Sequence, residues 1–268
     1  MKRMIPILVL AAATMGVLPA RAQDRWTVNF SDPSKPGLLR VNFVNGGITV
    51  KTHAGREVII EGKSNSRRNE PATREGLRRI DANNAGLTIE EENNVMTVST
   101  RGFNNAGNLE IQVPAKTNLK LTTVNGGALV VDDVEGEIEV NNTNGNIMLN
   151  NVSGSVIAHA TNGRLSASLR NTTPDKPMSF ITQNANVDIT LPPTAKANLK
   201  IRTDNGEAYT DFDIQLRPTT PAVAEDNRST GGRYRLQTDR TTYGTINGGG
   251  PDFEIRTLNG NIYIRKGK

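Results

Sequence analysis

An Asn-Gly turn, or a close variant of it, recurs through this chain at a nearly constant step. Turns at Asn125-Gly126, Glu135-Gly136, Asn144-Gly145, Ser153-Gly154 and Asn162-Gly163 succeed one another at ten, nine, nine and nine residues. Related units stand at Asn45-Gly46, Asn205-Gly206, Asn247-Gly248 and Asn259-Gly260, and Asn184-Ala185 is a degenerate copy. Glycine accepts positive φ because it has no Cβ, and asparagine tolerates it better than most residues. After the turns, apolar or small residues fall on alternate positions. The pairs are Ile48/Val50, Ala128/Val130, Ile138/Val140, Ile147/Leu149, Val156/Ala158, Leu165/Ala167 and Ile262/Ile264. A period of two marks a strand with one face in a core and one in water.

The turns also alternate in type. Thr143-Asn144-Gly145 matches Thr161-Asn162-Gly163, and Val134-Glu135-Gly136 matches Val152-Ser153-Gly154. Like turns therefore lie eighteen or nineteen residues apart. The simplest geometry is an all-β solenoid of the single-stranded β-helix type. Each coil takes about 18–20 residues, with two strands and two Gly-containing corners. Stacked coils would place Asn125, Asn144 and Asn162 above one another, spaced to form an amide ladder. Antiparallel hairpins are the competing arrangement, since Asn-Gly is also a hairpin signal. They explain the nine-residue step but not the alternation of turn types.

A longer similarity spans about eighty residues. Ile111-Gln112-Val113-Pro114 leads into Asn118-Leu119-Lys120-Leu121, and Ile189-Thr190-Leu191-Pro192 leads into Asn198-Leu199-Lys200-Ile201. This suggests two related sections meeting near 180–190. Residues 62–84 are polar and Arg-rich and read as an excursion, with a helical turn or two from Arg74 to Asp81. Residues 217–233, with Pro218, Pro221, Gly231 and Gly232, read as a long loop. Trp26 and Phe30 are candidate cap residues, since solenoid ends must be protected from edge pairing.

The first 22 residues have the form of a secretory signal: Lys2 and Arg3, an apolar run from Met4 to Leu18, then Ala20-Arg21-Ala22. The expected mature chain is 23–268, with no transmembrane segment. Lys2, Arg3 and Arg21 supply three of the five net positive charges, leaving +2 on the mature chain. A near-neutral chain with 4% aromatics argues against a nucleic-acid partner. The absence of cysteine excludes disulfides, thiolate metal sites and cysteine nucleophiles.

The units VNGG-ITV, VNGG-ALV, TNGN-IML and LNGN-IYI, with their I-x-V-P lead-in, resemble the putative adhesin family of β-strand-repeat domains, grouped with toastrack-type β-solenoids of bacterial envelopes. The resemblance runs over about residues 38–265. It implies a surface or periplasmic interaction module with no catalytic motif, so no catalytic, cofactor or metal residue is carried over. Ala185, in place of a turn glycine, and the 217–233 loop depart from the pattern.

Chemistry-bearing residues are few. His53 and His159 lie in different units and read as surface histidines. Asp132-Asp133 lacks the spacing of a calcium loop. Asp204, Asp211 and Asp213 read as turn carboxylates. Arg67, Arg68, Arg74, Arg78 and Arg79 form one local cluster that could contact an anionic partner, although acidic neighbours dilute it. The expectation is an exported, non-enzymatic structural or interaction module, periplasmic or at the cell surface, that binds an envelope protein or glycan without a cofactor. The alternatives are a polysaccharide-acting β-helix enzyme, which needs two carboxylates across a cleft, and a sensory envelope domain bound to a membrane protein.

Overall fold

Because the apolar residues alternate, each short segment can bury one face only by meeting another strand, and the chain solves this by stacking. The computed structural model describes residues 24–64, 73–74, 77–78, 87–100, 107–217, 223–226, 234–237 and 240–268. Among them every regular element is a strand, and most join one long sheet that winds around a two-faced core.

Parallel pairing decides between solenoid and hairpins. Ile138–Asn144 pairs with Asn118–Asp132 on one side and Val156–Ala160 on the other, both parallel, with Ile138 opposite Leu119 and Val156. Ile147–Gly154 likewise lies between Asn118–Asp132 and Leu165–Thr172, with Ile147 opposite Leu129 and Leu165. The offsets are the eighteen and nineteen residues of the repeat. Each layer thus has one strand on each face and a corner at each edge. Where 173–177 lengthen a corner, the offset grows to twenty-two, as in the pairing of Leu165 with Val187.

The spatial order of layers is not the order of the chain. Leu38–His53 lies between the layer of Val95–Thr100 and Gly107–Pro114 and the layer of Asn118–Asp132. Asp252–Asn259 and Ile262–Lys266 lie between the layer of Met178–Ile181 and Val187–Leu191 and that of Ala197–Asn205 and Ala208–Thr210. The duplicated lead-in marks these two insertions. After Pro114 and after Pro192 the chain must step over an inserted layer, about twice the ~4.8 Å strand spacing. Both connections are tied by a local bond to the proline carbonyl: Thr117 Oγ1 donates to Pro114 O at 2.7 Å, and Ala195 N to Pro192 O at 2.9 Å. Beyond each step the same ion pair recurs between layers, Lys120–Glu139 and Lys200–Glu254, both at 2.9 Å.

Antiparallel strands close the ends. Leu87–Glu92 covers Val95–Thr100, and Glu57–Ser64 covers Gly107–Pro114, with Asp24–Asn29 outermost. At the other end Thr242–Ile246 covers Ala197–Asn205, and Ile214–Arg217 follows it. Phe30 is buried against the core and Trp26 packs partly against it. Arg74 to Asp81 contains no described helical turn: Thr73–Arg74 pairs antiparallel with Leu77–Arg78.

Registered columns of apolar side chains fill the core. One runs Leu121, Val140, Ala158, Phe180, Ile255, Ile201, all buried. Small Ala158 beside large Phe180 keeps the column filled. One sequence expectation fails here. Ala128 and Val130 face outward, and Leu129 and Val131 are the buried pair. The corner Asn125-Gly126-Gly127 holds an extra residue, so the register slips between Gly46/Gly126 and Ile48/Leu129, and every later side chain in the strand changes face.

A loop-docking network ties 31–36 to the covering hairpin. Ser31 Oγ donates to Glu91 Oε1 at 2.6 Å, and Asn94 exchanges bonds with Asp32 N and O at 2.7 and 2.9 Å. Hydrogen bonds from Ser34, then Lys35, hold the Asp32 carboxyl down at about 2, and the Ser31 hydroxyl and amide hold Glu91 below its ordinary value. Both groups bind protons less readily folded than unfolded. The stabilisation from Asp32 is therefore complete above the ordinary carboxylate range near ~4 and disappears as pH falls toward about 2, and that from Glu91 is likewise lost on acidification. Acid titration followed by NMR should move the Ser31, Asp32 and Asn94 amides in that window while resonances of Leu121 and Val140 stay in place. Simultaneous loss of both sets would contradict this.

Candidate functional site

Parallel stacking in register places equivalent corner residues directly above one another, so any side chain repeated at a corner becomes a column. Along one edge seven asparagines form a continuous amide ladder in the spatial order 45, 125, 144, 162, 184, 259, 205. The Nδ2 group of Asn125 donates to Asn45 Oδ1 at 3.3 Å, that of Asn144 to Asn125 at 3.1 Å, and that of Asn162 to Asn144 at 2.9 Å. The Nδ2 group of Asn184 donates to Asn162 at 2.7 Å, and that of Asn259 to Asn184 and that of Asn205 to Asn259, both at 2.8 Å. All six bonds point the same way. Each amide from Asn125 to Asn205 keeps a second N–H and a second lone pair, set in a fixed row about 4.8 Å apart. Asn184 holds its rung although Ala185 replaces the glycine.

The glycines of this edge, Gly46, Gly126, Gly145, Gly163, Gly206 and Gly260, sit beside the ladder, and they are required for two different reasons. Gly126 has φ +83° and open space around its missing Cβ. Gly163 has no such φ; a Cβ there would lie 2.0 Å from the Gly145 carbonyl oxygen of the next layer. Gly136 and Gly154 stack on the opposite edge. Asn247-Gly248 stands apart from the ladder, in a turn where Asn247 Nδ2 donates to Pro193 O and Ala195 O.

A second column lies just inside the ladder and was missed in the sequence. Thr123, Thr182, Thr203 and Thr257 each donate a hydroxyl to a corner carbonyl of the neighbouring layer, at 2.8–3.0 Å, and Asn142 does so with its amide. The signal was legible as Thr or Asn two residues before the ladder asparagine. These polar groups are buried or nearly so, and the bond satisfies the threonine hydroxyls and the carbonyls they reach, while Asn142 Oδ1 is left without a partner. Replacing Asn144 and Asn162 together by alanine removes three ladder bonds, and a loss of about 1–3 kcal/mol is expected in urea unfolding. An unchanged midpoint would show that the ladder does not hold the stack.

Other candidate residues disperse. Arg67, Arg68 and Arg79 lie outside the described residues, and Arg74 and Arg78 belong to the small two-stranded pair. His53 bonds locally, its Nε2 2.7 Å from Glu57 O and its Nδ1 accepting Gly55 N; His159 is exposed on another layer. The Asp132 and Asp133 carboxylates accept Asn150 and Asn151 amides at 2.8 and 2.6 Å, and Arg170 reaches Asp133 at 3.3 Å. Their column is an amide–carboxylate ladder rather than a calcium loop. One feature gave no sequence signal. Tyr209 and Tyr263 stack on adjacent layers with centroids 5.4 Å apart, beside Arg265, which pairs with Asp188.

Stacked two-strand layers with close-packed glycine corners define an all-β solenoid-like protein, not a closed barrel. The Toastrack DUF4097 family model matches residues 104–265, more than half of the chain, and the chain belongs to this family. The strand Leu38–His53 lies outside the matched range yet inside the stack. Comparison with curated proteins gives no match. Among solved structures, a putative cell adhesion protein from Clostridium sporogenes is 11% identical, with 92% of this chain and 100% of that one covered at a TM-score of 0.45. A putative adhesin from Bacteroides fragilis is 11% identical, with 94% and 100% covered at a TM-score of 0.27. Among the described residues, no helix is long and apolar enough to cross a membrane.

Proposed function

We propose that this chain is a non-enzymatic interaction module of the bacterial cell envelope, exported under the direction of residues 1–22 and acting in the periplasm or at the surface. It binds an envelope glycan or protein through its rigid repeat surface. The observation that supports this reading is the ladder of seven asparagines, six of them exposed, which sets a row of like donor–acceptor groups at one spacing without conformational cost on binding. A repetitive partner can meet such a row many times over, so weak single contacts add.

The test has two arms. N-terminal sequencing of the protein from fractionated cells should give Gln23 as the first residue, in the periplasmic or secreted fraction. The purified mature chain should bind an immobilised envelope preparation saturably, and the Asn144→Ala/Asn162→Ala variant should bind it several-fold more weakly while still folded. A cytoplasmic protein with residues 1–22 intact, or an absence of saturable binding, would end this reading.

A further inference from the structure

The edge opposite the ladder carries a groove of about 400 Å³, within the usual range of about 300–1,000 Å³ for ligand sites. It runs along the stack, from Pro36 and Lys116 past the corners of Gly136 and Gly154 to Thr173 and Lys176. These residues belong to five successive layers, so the groove extends over about 19 Å. Its floor is bare backbone because the two central corners have shrunk to Glu-Gly-Glu and Ser-Gly-Ser. A Cβ on Gly154 would lie 2.1 Å from Gly136 O. Pro36, from the loop before Leu38, and Thr173 and Lys176, from the long corner, line its two ends.

The floor's main-chain groups are already used between layers. Gly136 N donates to Ser153 O at 3.0 Å, Ser153 N to Val134 O at 2.9 Å, and Ile138 N to Ser155 O at 2.9 Å. A peptide therefore finds no strand edge to extend, and recognition must come from side chains. Those side chains are hydroxyl, amide and charged groups, with Pro36 the one apolar residue among them. Ser153 Oγ is buried at the groove without a hydrogen-bond partner. Of the charges, Glu135 is held by Arg170 at 3.0 Å and Glu137 by Lys176, whereas Lys116 has no partner among the described residues. The two glutamates flank one glycine and are each engaged in an ion pair. They do not face each other as the free carboxyl couple that glycoside hydrolysis requires.

We propose that this groove binds an extended, carboxylate-bearing oligosaccharide lying along the stack. The sugar hydroxyls, which donate and accept, match the mixed hydroxyl, amide and charged lining. A carboxylate on the chain pairs with Lys116. This deepens the reading of the protein as an envelope-binding module and rests on it.

Calorimetric titration of the mature full-length chain tests the assignment with three probes: an oligogalacturonate, a neutral malto-oligosaccharide and poly-L-glutamate. Oligogalacturonate should bind at least tenfold more tightly than either of the others. Lys116→Glu, an exposed change, should weaken it at least tenfold without altering the melting temperature. Equal or tighter binding of poly-L-glutamate would overturn the saccharide assignment in favour of an acidic peptide. Failure to bind oligogalacturonate, or binding indifferent to Lys116→Glu, would overturn the site. If envelope binding persists in that case, the module reading stands and the groove assignment alone falls.

Discussion

Replacing Gly163 by alanine is expected to destabilise the stack by about 3 kcal/mol, a drop of roughly 6–12 °C in melting temperature. The added carbon would lie 2.0 Å from the Gly145 oxygen and 2.5 Å from its carbon, so one whole layer must move. Backbone, unlike a side-chain tip, cannot rotate away. The cost comes from the neighbouring layer and not from φ. Asparagine at 163, a residue that tolerates positive φ, should therefore be no better than alanine. Gly126 provides the contrast, with φ +83° and nothing within 4 Å of a built Cβ. Asparagine there should cost less than about 1 kcal/mol, as Asp133 and Asn151 already adopt φ of 62° and 54° in this chain. Thermal melts of Gly163→Ala, Gly163→Asn and Gly126→Asn would decide the matter. A tolerated Gly163→Asn would show that conformation, not contact, selects glycine there.

The second large effect is expected from ending the chain at Pro251. In an ordinary solenoid, loss of a terminal repeat shortens the stack and leaves the rest folded, because each repeat contacts only its neighbours. Here residues 252–266 form an internal layer. Phe253 and Ile255 are fully buried on one face, and Ile262 and Ile264 fill the other. Removing them leaves Met178–Ile181 and Val187–Leu191 facing Ala197–Asn205 and Ala208–Thr210 across an empty layer, with four strand edges unpaired. Unpaired edges of this kind aggregate. The truncated chain should be insoluble, or lose its cooperative melt. A soluble monomer with near-native circular dichroism would refute the intercalated order.

The sequence made the layers from Asn118 to Thr172 legible because there chain order and spatial order coincide. Spacing, turn alternation and buried pairs could be read residue by residue. The inserted layers could not. Leu38 meets Asn118 eighty residues away, and Met178 meets Phe253 seventy-five away, and no local pattern encodes such partners. The Pro114 and Pro192 lead-ins were visible as a duplication, but their meaning as steps over an inserted layer needed coordinates. The slip at Ala128 and Val130 came from one extra glycine, which a period-two reading cannot place. At Gly163 the residue was identified, but the reason is contact with the next layer rather than φ. The ladder was foreseen at Asn125, Asn144 and Asn162; Asn45, Asn184, Asn205 and Asn259 joined it only when the layer order was known. The groove had no sequence signature, because its floor is defined by what two short corners lack.

The uniform direction of the ladder has an electrical consequence. Aligned amide dipoles reinforce one another, as they do along a helix. Every carbonyl in the row is turned toward Asn205 and every donated hydrogen toward Asn45, so the ladder itself is polar along the stack. Arg202 and Arg240 gather at the oxygen-rich terminus, bonded at 3.1 and 3.0 Å to Asp204, the residue next to Asn205. The ladder thus has two chemically unlike ends, a carbonyl end at Asn205 and an amide end at Asn45.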